Sequence, residues 1–463
     1  MAKMIENNHS AISRVSAGAK RWTGATVLGP SVVMALPVIG TVSGALITEG
    51  GFSQALAQDD KPKRKTRRTP AIRAKVFEKL TEAQELAEAK KWNESIQALD
   101  DLRDKEGRGK LNSYELANLY NMYAFIYFSK EDYKRALSAY EEVIKQPDIP
   151  EAMEINTRFT IAQLYFIQEK WRQGIGELNK WFDAKKRLGE PIGANSYALR
   201  AQGYYQMKRY NDALKDIEFA IADYKGKGKV PKEQWYGLAR FLNFEKNNIN
   251  RVIDYLEETL VYYQKKNYWL QLASMYGEKK RDKDMVAAME TAYVQGLLDK
   301  DKELINMAYM FLSVDAPYKA AKVIHNGLKQ KKIDPTAKNL ELLGNSWRHA
   351  QEVKRAIPVM EAAAKKSDKG ELWARLGNIY LDNDEFGKAA NAVRQGLKKG
   401  GLRRPDTAWL VLGMAEFNLE NYDAARKAFN KAKKDENSKK YAEQWLQFME
   451  REIKRQKSLA EDA

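Results

Sequence analysis

Three histidines, His9, His325 and His349, and not one cysteine make up the whole supply of soft ligands and thiol nucleophiles in the 463 residues. Zinc fingers, iron–sulfur clusters, disulfide frameworks and cysteine catalysis are excluded together. His349 follows Arg348 with no second histidine or carboxylate cluster nearby in sequence, and reads as a surface residue rather than a general base. The run Asp382-Asn383-Asp384-Glu385 is acidic enough to suggest a cation site, yet it falls where a polar turn between two helices is expected. Lys225 to Lys229 and Gly107 to Lys110 combine Gly and Lys without the spacing of a phosphate-binding loop, and both read as turns. Gly-x-Ser-x-Gly, His-Glu-x-x-His and a twelve-residue calcium loop do not occur. The residue types thus predict no catalytic site, no metal and no cofactor, which leaves binding as the chemistry to look for.

The balance of 79 Lys and Arg against 62 Asp and Glu, a formal charge of +17, predicts attraction to polyanions. The N-terminus predicts where the chain goes. Lys3, Arg14, Lys20 and Arg21 precede 26 uncharged residues, Thr23 to Thr48, and Ala55-Leu56-Ala57 then offers a small-x-small cleavage pattern. Residues 1–57 therefore read as an export signal cut after Ala57, with an uncleaved inner-membrane anchor as the rival. In both readings the positive-inside rule puts the remainder outside the cytoplasm, which points to the periplasm. Residues 58–72 read as a basic disordered linker, with Lys61, Lys63, Arg64, Lys65, Arg67 and Arg68 forming either a solvated spacer or a tether to an anionic membrane surface. Nucleic acid is not expected behind an export signal.

From Ala71 onward one pattern recurs: a small residue, an aromatic or apolar residue three later, another small residue at twelve, and a large apolar one at sixteen. Ala124, Tyr127, Ala136 and Tyr140 are the template. The same offsets start at Ala83, Ala162, Ala201, Ala273, Ala308, Gly344, Gly377 and Gly413, and a tenth unit at Ala239 fits with one residue inserted in its turn. Such a period predicts paired amphipathic helices stacked on their neighbours, the small residues allowing close approach. Pro147, Pro150, Pro191, Pro231, Pro335 and Pro405 fall between units, where helices should end. Met285 and Glu416 depart from the pattern, at a small and an aromatic position, and predict loose packing or a bend. Tyr441, Trp445, Phe448 and Ile453 place an apolar face on a charged C-terminal helix over 436–463, as a terminal cap requires.

The pattern resembles the tetratricopeptide repeat over about residues 73–435, most clearly at Trp373-Ala-Arg-Leu-Gly377-Asn-Ile-Tyr380 and Trp409-Leu-Val-Leu-Gly413. That resemblance implies an all-α fold, a right-handed α-solenoid of about ten helix-turn-helix repeats, acting as a non-catalytic protein–protein scaffold. It also implies that first helices line a concave groove through the positions six and three before the small marker and one, four and five after it. Those offsets select Asn118, Asn121, Phe125, Phe128, Asn156, Gln163, Phe166, Asn195, Gln202, Tyr205, Arg240 and Asn243, an amide-rich row suited to the backbone of an extended peptide. Farther along they select Tyr309 and a cationic cluster, Lys338, Asn345, Arg348 and Asn378, suited to an acidic segment. The export signal, basic linker and repeat array together resemble periplasmic tetratricopeptide proteins that accompany TonB-type energising systems in gammaproteobacteria. By that resemblance the partners are envelope proteins of a TonB/ExbB/ExbD-type complex that powers uptake of iron chelates. The rival is a scaffold for peptidoglycan or exopolysaccharide assembly.

Overall fold

The structure, a computed structural model, describes residues 70–104 and 109–461. Residues 1–57, nearly all of the basic linker with its six cations, and most of the Gly107 loop lie outside the described residues. Among the described residues the chain is helical, with 21 helices and no strand. No described helix is long and apolar enough to cross a membrane.

Two compact units divide at Tyr263 and Gln264. In the first, five helix pairs follow one another: α1 (Ala74–Glu88) with α2 (Trp92–Arg103), α3 (Ser113–Ser129) with α4 (Tyr133–Lys145), α5 (Glu151–Ile167) with α6 (Trp171–Leu188), α7 (Ala194–Gln206) with α8 (Tyr210–Gly226), and α9 (Glu233–Glu245) with α10 (Ile249–Tyr262). Five more build the second: α11 (Lys266–Glu278) with α12 (Asp282–Val294), α13 (Asp301–Ser313) with α14 (Pro317–Lys329), α15 (Ala337–His349) with α16 (Val353–Lys366), α17 (Glu371–Asp382) with α18 (Phe386–Lys399), and α19 (Pro405–Asn418) with α20 (Tyr422–Ala432). The helix α21 (Glu436–Glu461) follows them and packs on α19 and α20.

Every pair closes with one turn geometry. A left-handed residue stands in the turn of all ten, the seventh after the marker in nine and the eighth after Ala239 in the fifth, at Lys90, Glu131, Glu169, Lys208, Asn247, Lys280, Asp315, Gln351, Asp384 and Glu420, with φ between 54° and 61°. The next amide then reaches back five residues, as Lys170 N to the Tyr165 carbonyl (2.8 Å) and Glu385 N to that of Tyr380 (2.9 Å). This bond satisfies an orphan carbonyl at the helix end and starts the antiparallel return. Not one of these ten residues is glycine, so the bond and the packing hold a conformation the side chains do not favour.

The small positions work as close contacts. Ala83, Ala124, Ala136, Ala162, Ala201 and Ala213 are fully buried, and Ser95 Oγ donates to the Ala83 carbonyl at 2.5 Å. At Gly377 even a methyl group is too much, since a Cβ there would lie 2.3 Å from Val393 Cγ2. Neither departure loosens the array as expected. Met285 is half-buried and sits against Gly277, where a Cβ would be 3.2 Å from its sulfur, so the missing space moved to the facing helix. Glu416 is buried in the aromatic position, paired with Arg394 and accepting from Asn421 Nδ2 at 2.9 Å. A satisfied carboxylate fills the gap a ring would fill.

The fifth pair corrects the sequence reading. Asn248 N bonds the Asn243 carbonyl at 2.9 Å, so the pair is in register with the others when counted from its turn, with no residue inserted. Arg240 then holds the small position and Asn243 the aromatic one.

Candidate functional site

The outward offsets on α3, α5, α7 and α9 were expected to carry amides, and burial separates them into two classes. Asn156 and Asn195 are exposed, the latter 3.4 Å from the Tyr224 hydroxyl, and Asn121 is half-buried. Asn118, Gln163, Gln202 and Asn243 are buried, between 2% and 9% exposed, and Phe166 is buried as well. Asn118 Nδ2 is spent on the Tyr114 carbonyl (2.7 Å) and Asn243 Nδ2 on that of Ala239 (2.9 Å). The continuous amide row is therefore corrected to three isolated amides. The side chains one position past the marker in α5 and α7 are covered, which a fixed offset rule cannot register.

Arg240 and Asn243 leave the groove for a different reason. With Arg240 on the small position, its Nη1 donates to Thr259 Oγ1 on α10 at 2.7 Å, inside its own pair. The groove offsets of this pair fall on Phe241 and Phe244 instead, both half-buried. Sequence reasoning missed them because it aligned on Ala239, a small residue one position before the true one. Counting from the left-handed turn finds them.

Aromatic side chains, not amides, dominate what remains. Phe125 and Phe128 are half-buried, and Phe128 packs on Tyr133 with centroids 5.6 Å apart. Tyr205, Tyr210 and Phe241 form a triangle spanning two pairs, at 5.4, 6.1 and 6.1 Å. Half-buried rings of this kind present apolar area at small conformational cost while their edges stay wet.

In the second unit Lys338 and Tyr309 are exposed, while Asn345, Arg348 and Asn378 are half-buried. The cluster is not uniformly cationic. Glu341, three residues before the Gly344 marker, shares this face and accepts from Arg375 Nη1 at 2.5 Å, and Arg375 also reaches Glu371. Burial, then the Glu341 charge, pushes the Tyr309 phenol above its ordinary range. Arg348 stands apart from that network: its Nε is buried and makes no hydrogen bond. An unmet buried donor is a cost to the chain.

The acidic turn carries no sign of a cation site. Asp384 is its left-handed residue, and Glu385 accepts from Asn383 Nδ2 (2.8 Å) and Lys388 Nζ (2.5 Å). The Lys388 ammonium holds the Glu385 carboxyl below its ordinary range. Among the described residues no group of three or more His, Asp or Glu is placed to hold a metal ion.

Two family profiles, both described as tetratricopeptide repeat, match residues 117–146 and 375–440. Those two stretches match tetratricopeptide repeats. No curated protein matches it in sequence. Solved structures similar to it include MamA (18% identity, TM-score 0.31, covering 37% of this chain and 97% of MamA). A tetratricopeptide repeat protein from Parabacteroides merdae is similar at 12% identity and TM-score 0.32, covering 55% of this chain and 94% of that one. The apo form of RapI is similar at 12% identity and TM-score 0.33, covering 61% and 99%. Tetratricopeptide arrays in general act as protein–protein interaction scaffolds.

Proposed function

We propose that this tetratricopeptide array is a non-catalytic, exported scaffold that holds extended segments of partner proteins along its first helices. The observation that carries the reading is the half-buried aromatic row within the first unit, and within the second unit, taken by itself, the unmet Arg348 donor. Rings supply contact area that tolerates many sequences, and the guanidinium supplies one charged anchor for a carboxylate. The basic and apolar layout of residues 1–57 supports a periplasmic site of action, with an inner-membrane anchor if the signal is retained. Within that compartment the partners are components of a TonB/ExbB/ExbD-type system serving uptake of iron chelates. A scaffold for cell-wall or exopolysaccharide assembly is the second reading, favoured by the formal charge of +17.

The test is a crosslinking capture from envelope fractions with the tagged full chain and with Asn121→Ala, Asn156→Ala, Asn195→Ala and Arg348→Met combined. Capture of TonB-system components that the variant loses supports the full reading. Capture of cell-wall synthases moves the assignment to the second reading, and failure of a fused periplasmic reporter to leave the cytoplasm removes both.

A further inference from the structure

In an array of antiparallel pairs all the links from one pair to the next gather on one edge, and the turns within pairs gather on the other. In the unit 264–461 these edges differ in charge. Four successive link regions, residues 329–338, 365–371, 398–406 and 431–440, hold sixteen Lys and Arg against six Asp and Glu, and every one of the sixteen is exposed. The opposite turns of the last four pairs, at 314–316, 350–352, 383–385 and 419–421, hold Asp315, Glu352, Asp384, Glu385 and Glu420 and no base, whereas the turn of the unit's first pair is Lys279-Lys280-Arg281, so the contrast belongs to residues 301–440.

The links also touch. Gly370 N donates to the Gly400 carbonyl at 2.7 Å, Lys399 Nζ bonds the Ser367 carbonyl, Arg403 N donates to Glu371 Oε2 at 3.0 Å, and Ser438 Oγ donates to Asp406 Oδ2 at 2.6 Å. The last three basic regions therefore form one continuous strip, with the first beside them across the α15 and α16 pair. Among the described residues only Arg404, Lys433 and Lys439 of the sixteen place their side-chain charge on a carboxylate.

Helix dipoles explain part of this charge and not the rest. Lys329, Lys365, Lys366 and Lys398 sit at C-terminal helix ends, where cations are favoured. Lys338, Lys369, Arg403, Arg404, Lys439 and Lys440 gather at N-terminal ends, where the dipole opposes them. Fold stability does not ask for cations there. Fourteen of the sixteen are Lys, hydrated point charges rather than the planar forks that read phosphate or base edges. One exposed ring, Tyr441, borders the last basic region, without the row of interleaved rings that a base-stacking platform would require. The strip is an end face made of helix termini, not a cleft that encloses a strand.

We propose that this lysine edge is a docking surface for an anionic lipid bilayer. Over the last four pairs the two edges, one basic and one acidic, orient this stretch with its turn edge away from the lipid. Binding is chiefly electrostatic and peripheral, with the Tyr441 ring at the border of the last basic region as the apolar group nearest the lipid.

The test is cosedimentation of the full chain with vesicles of phosphatidylcholine and phosphatidylglycerol at about 3:1, and of phosphatidylcholine alone. One variant reverses the edge: Lys331→Glu, Lys332→Glu, Lys365→Glu, Lys366→Glu, Lys398→Glu and Lys434→Glu. A second makes the same change of charge on exposed residues of the other unit: Lys90, Lys130, Lys134, Lys208, Lys215 and Lys246, each to Glu. A lysine at the surface contributes about a fivefold factor to partitioning, so loss of only two effective contacts gives at least about a thirtyfold drop. The expected result is that drop for the edge variant, a change under about threefold for the second variant, and weak binding to neutral vesicles. A set of Lys→Gln changes at the six edge positions, which leaves the chain fewer like charges to repel, should show the same order if the reversal variant fails the far-UV circular dichroism check. Equal loss in both variants, equal retention in both, or retention of the wild type by heparin or duplex DNA but not by anionic vesicles overturns the proposal.

Discussion

Arg200 and Asp216 form a buried bidentate pair, and removing one partner should be far more harmful than removing both. Arg200 Nε and Nη2 donate to Asp216 at 2.6 and 2.9 Å, Nη1 donates to Asn179 Oδ1 at 3.2 Å, and the guanidinium lies 3.8 Å from the centroid of Phe182. Their side chains are 15% and 5% exposed. Burial pulls the Arg200 guanidinium down, and the Asp216 bond and charge together with Tyr204 and Tyr197 more than offset it, so the charge survives chiefly because of the partner. Asp216→Ala strands that charge against Phe182 and should cost about 3 to 5 kcal/mol. Arg200→Met with Asp216→Leu keeps the apolar stem over the ring and should lie within about 1 kcal/mol of wild type. A repeat array opens locally, so the assay is native-state hydrogen exchange of the amides in Ala194–Gly226 rather than a single unfolding midpoint. The single variant should lose about two to three and a half orders of magnitude of protection there, and the double variant less than about one. Double-variant protection as low as the single variant's would refute the reasoning, because packing and not an unpaired charge would then set the cost.

Arg348→Met should leave the free chain as stable as wild type or slightly more so, because it deletes an unmet buried donor, while weakening capture of an acidic partner; stability loss in thermal unfolding would show that Arg348 is structural. The Asp406 carboxyl is held below its ordinary range first by Arg404 and then, against burial, by Ser438 of α21. Its contribution is therefore present above the unfolded-state value of about 3.9 and lost as pH falls through the lowered folded value. Exchange protection in α21 should drop as pH falls below about 4 in wild type, and Asp406→Asn should weaken α21 at neutral pH and flatten that dependence. Gly176→Ala, on an open helix surface with nothing within 4 Å of the new Cβ, should stabilise by about 0.8 to 1 kcal/mol. Gly370→Ala, whose Cβ would lie 1.9 Å from the Gly396 carbonyl oxygen, should destabilise by about 1 to 3 kcal/mol in urea unfolding.

The fold was legible because its signal is repeated. Small residues at Ala124 and Ala136 mean little alone, but the same spacing across ten pairs leaves few alternatives, and the structure places nearly every marker in close contact. The site was less legible because accessibility depends on what the next pair brings. Gln163 and Gln202 stand at an outward offset and are covered, while Tyr205 stays half-open on a neighbouring turn. Arg240 and Asn243 misled for a sharper reason: the alignment trusted residue size, and the fifth pair has Arg where a small residue was expected. Glu341 escaped notice among the cations at Lys338, Asn345 and Arg348, so a charge cluster was read where an ion-pair network exists. Pro358 inside α16 shows the same limit, as a helix held by neighbours on both sides tolerates a break that a lone helix would not.

The ten left-handed turns have a consequence for how such a chain can change. Because the reach-back bond comes from backbone atoms, the residue at each bend is Lys, Glu, Asp, Asn or Gln without altering the geometry. The electrostatic character of that rim is therefore a property written separately from the architecture beneath it. A lineage can recolour one side of the array, one loop at a time, and keep the stacking of every helix while it acquires a new surface to adhere to.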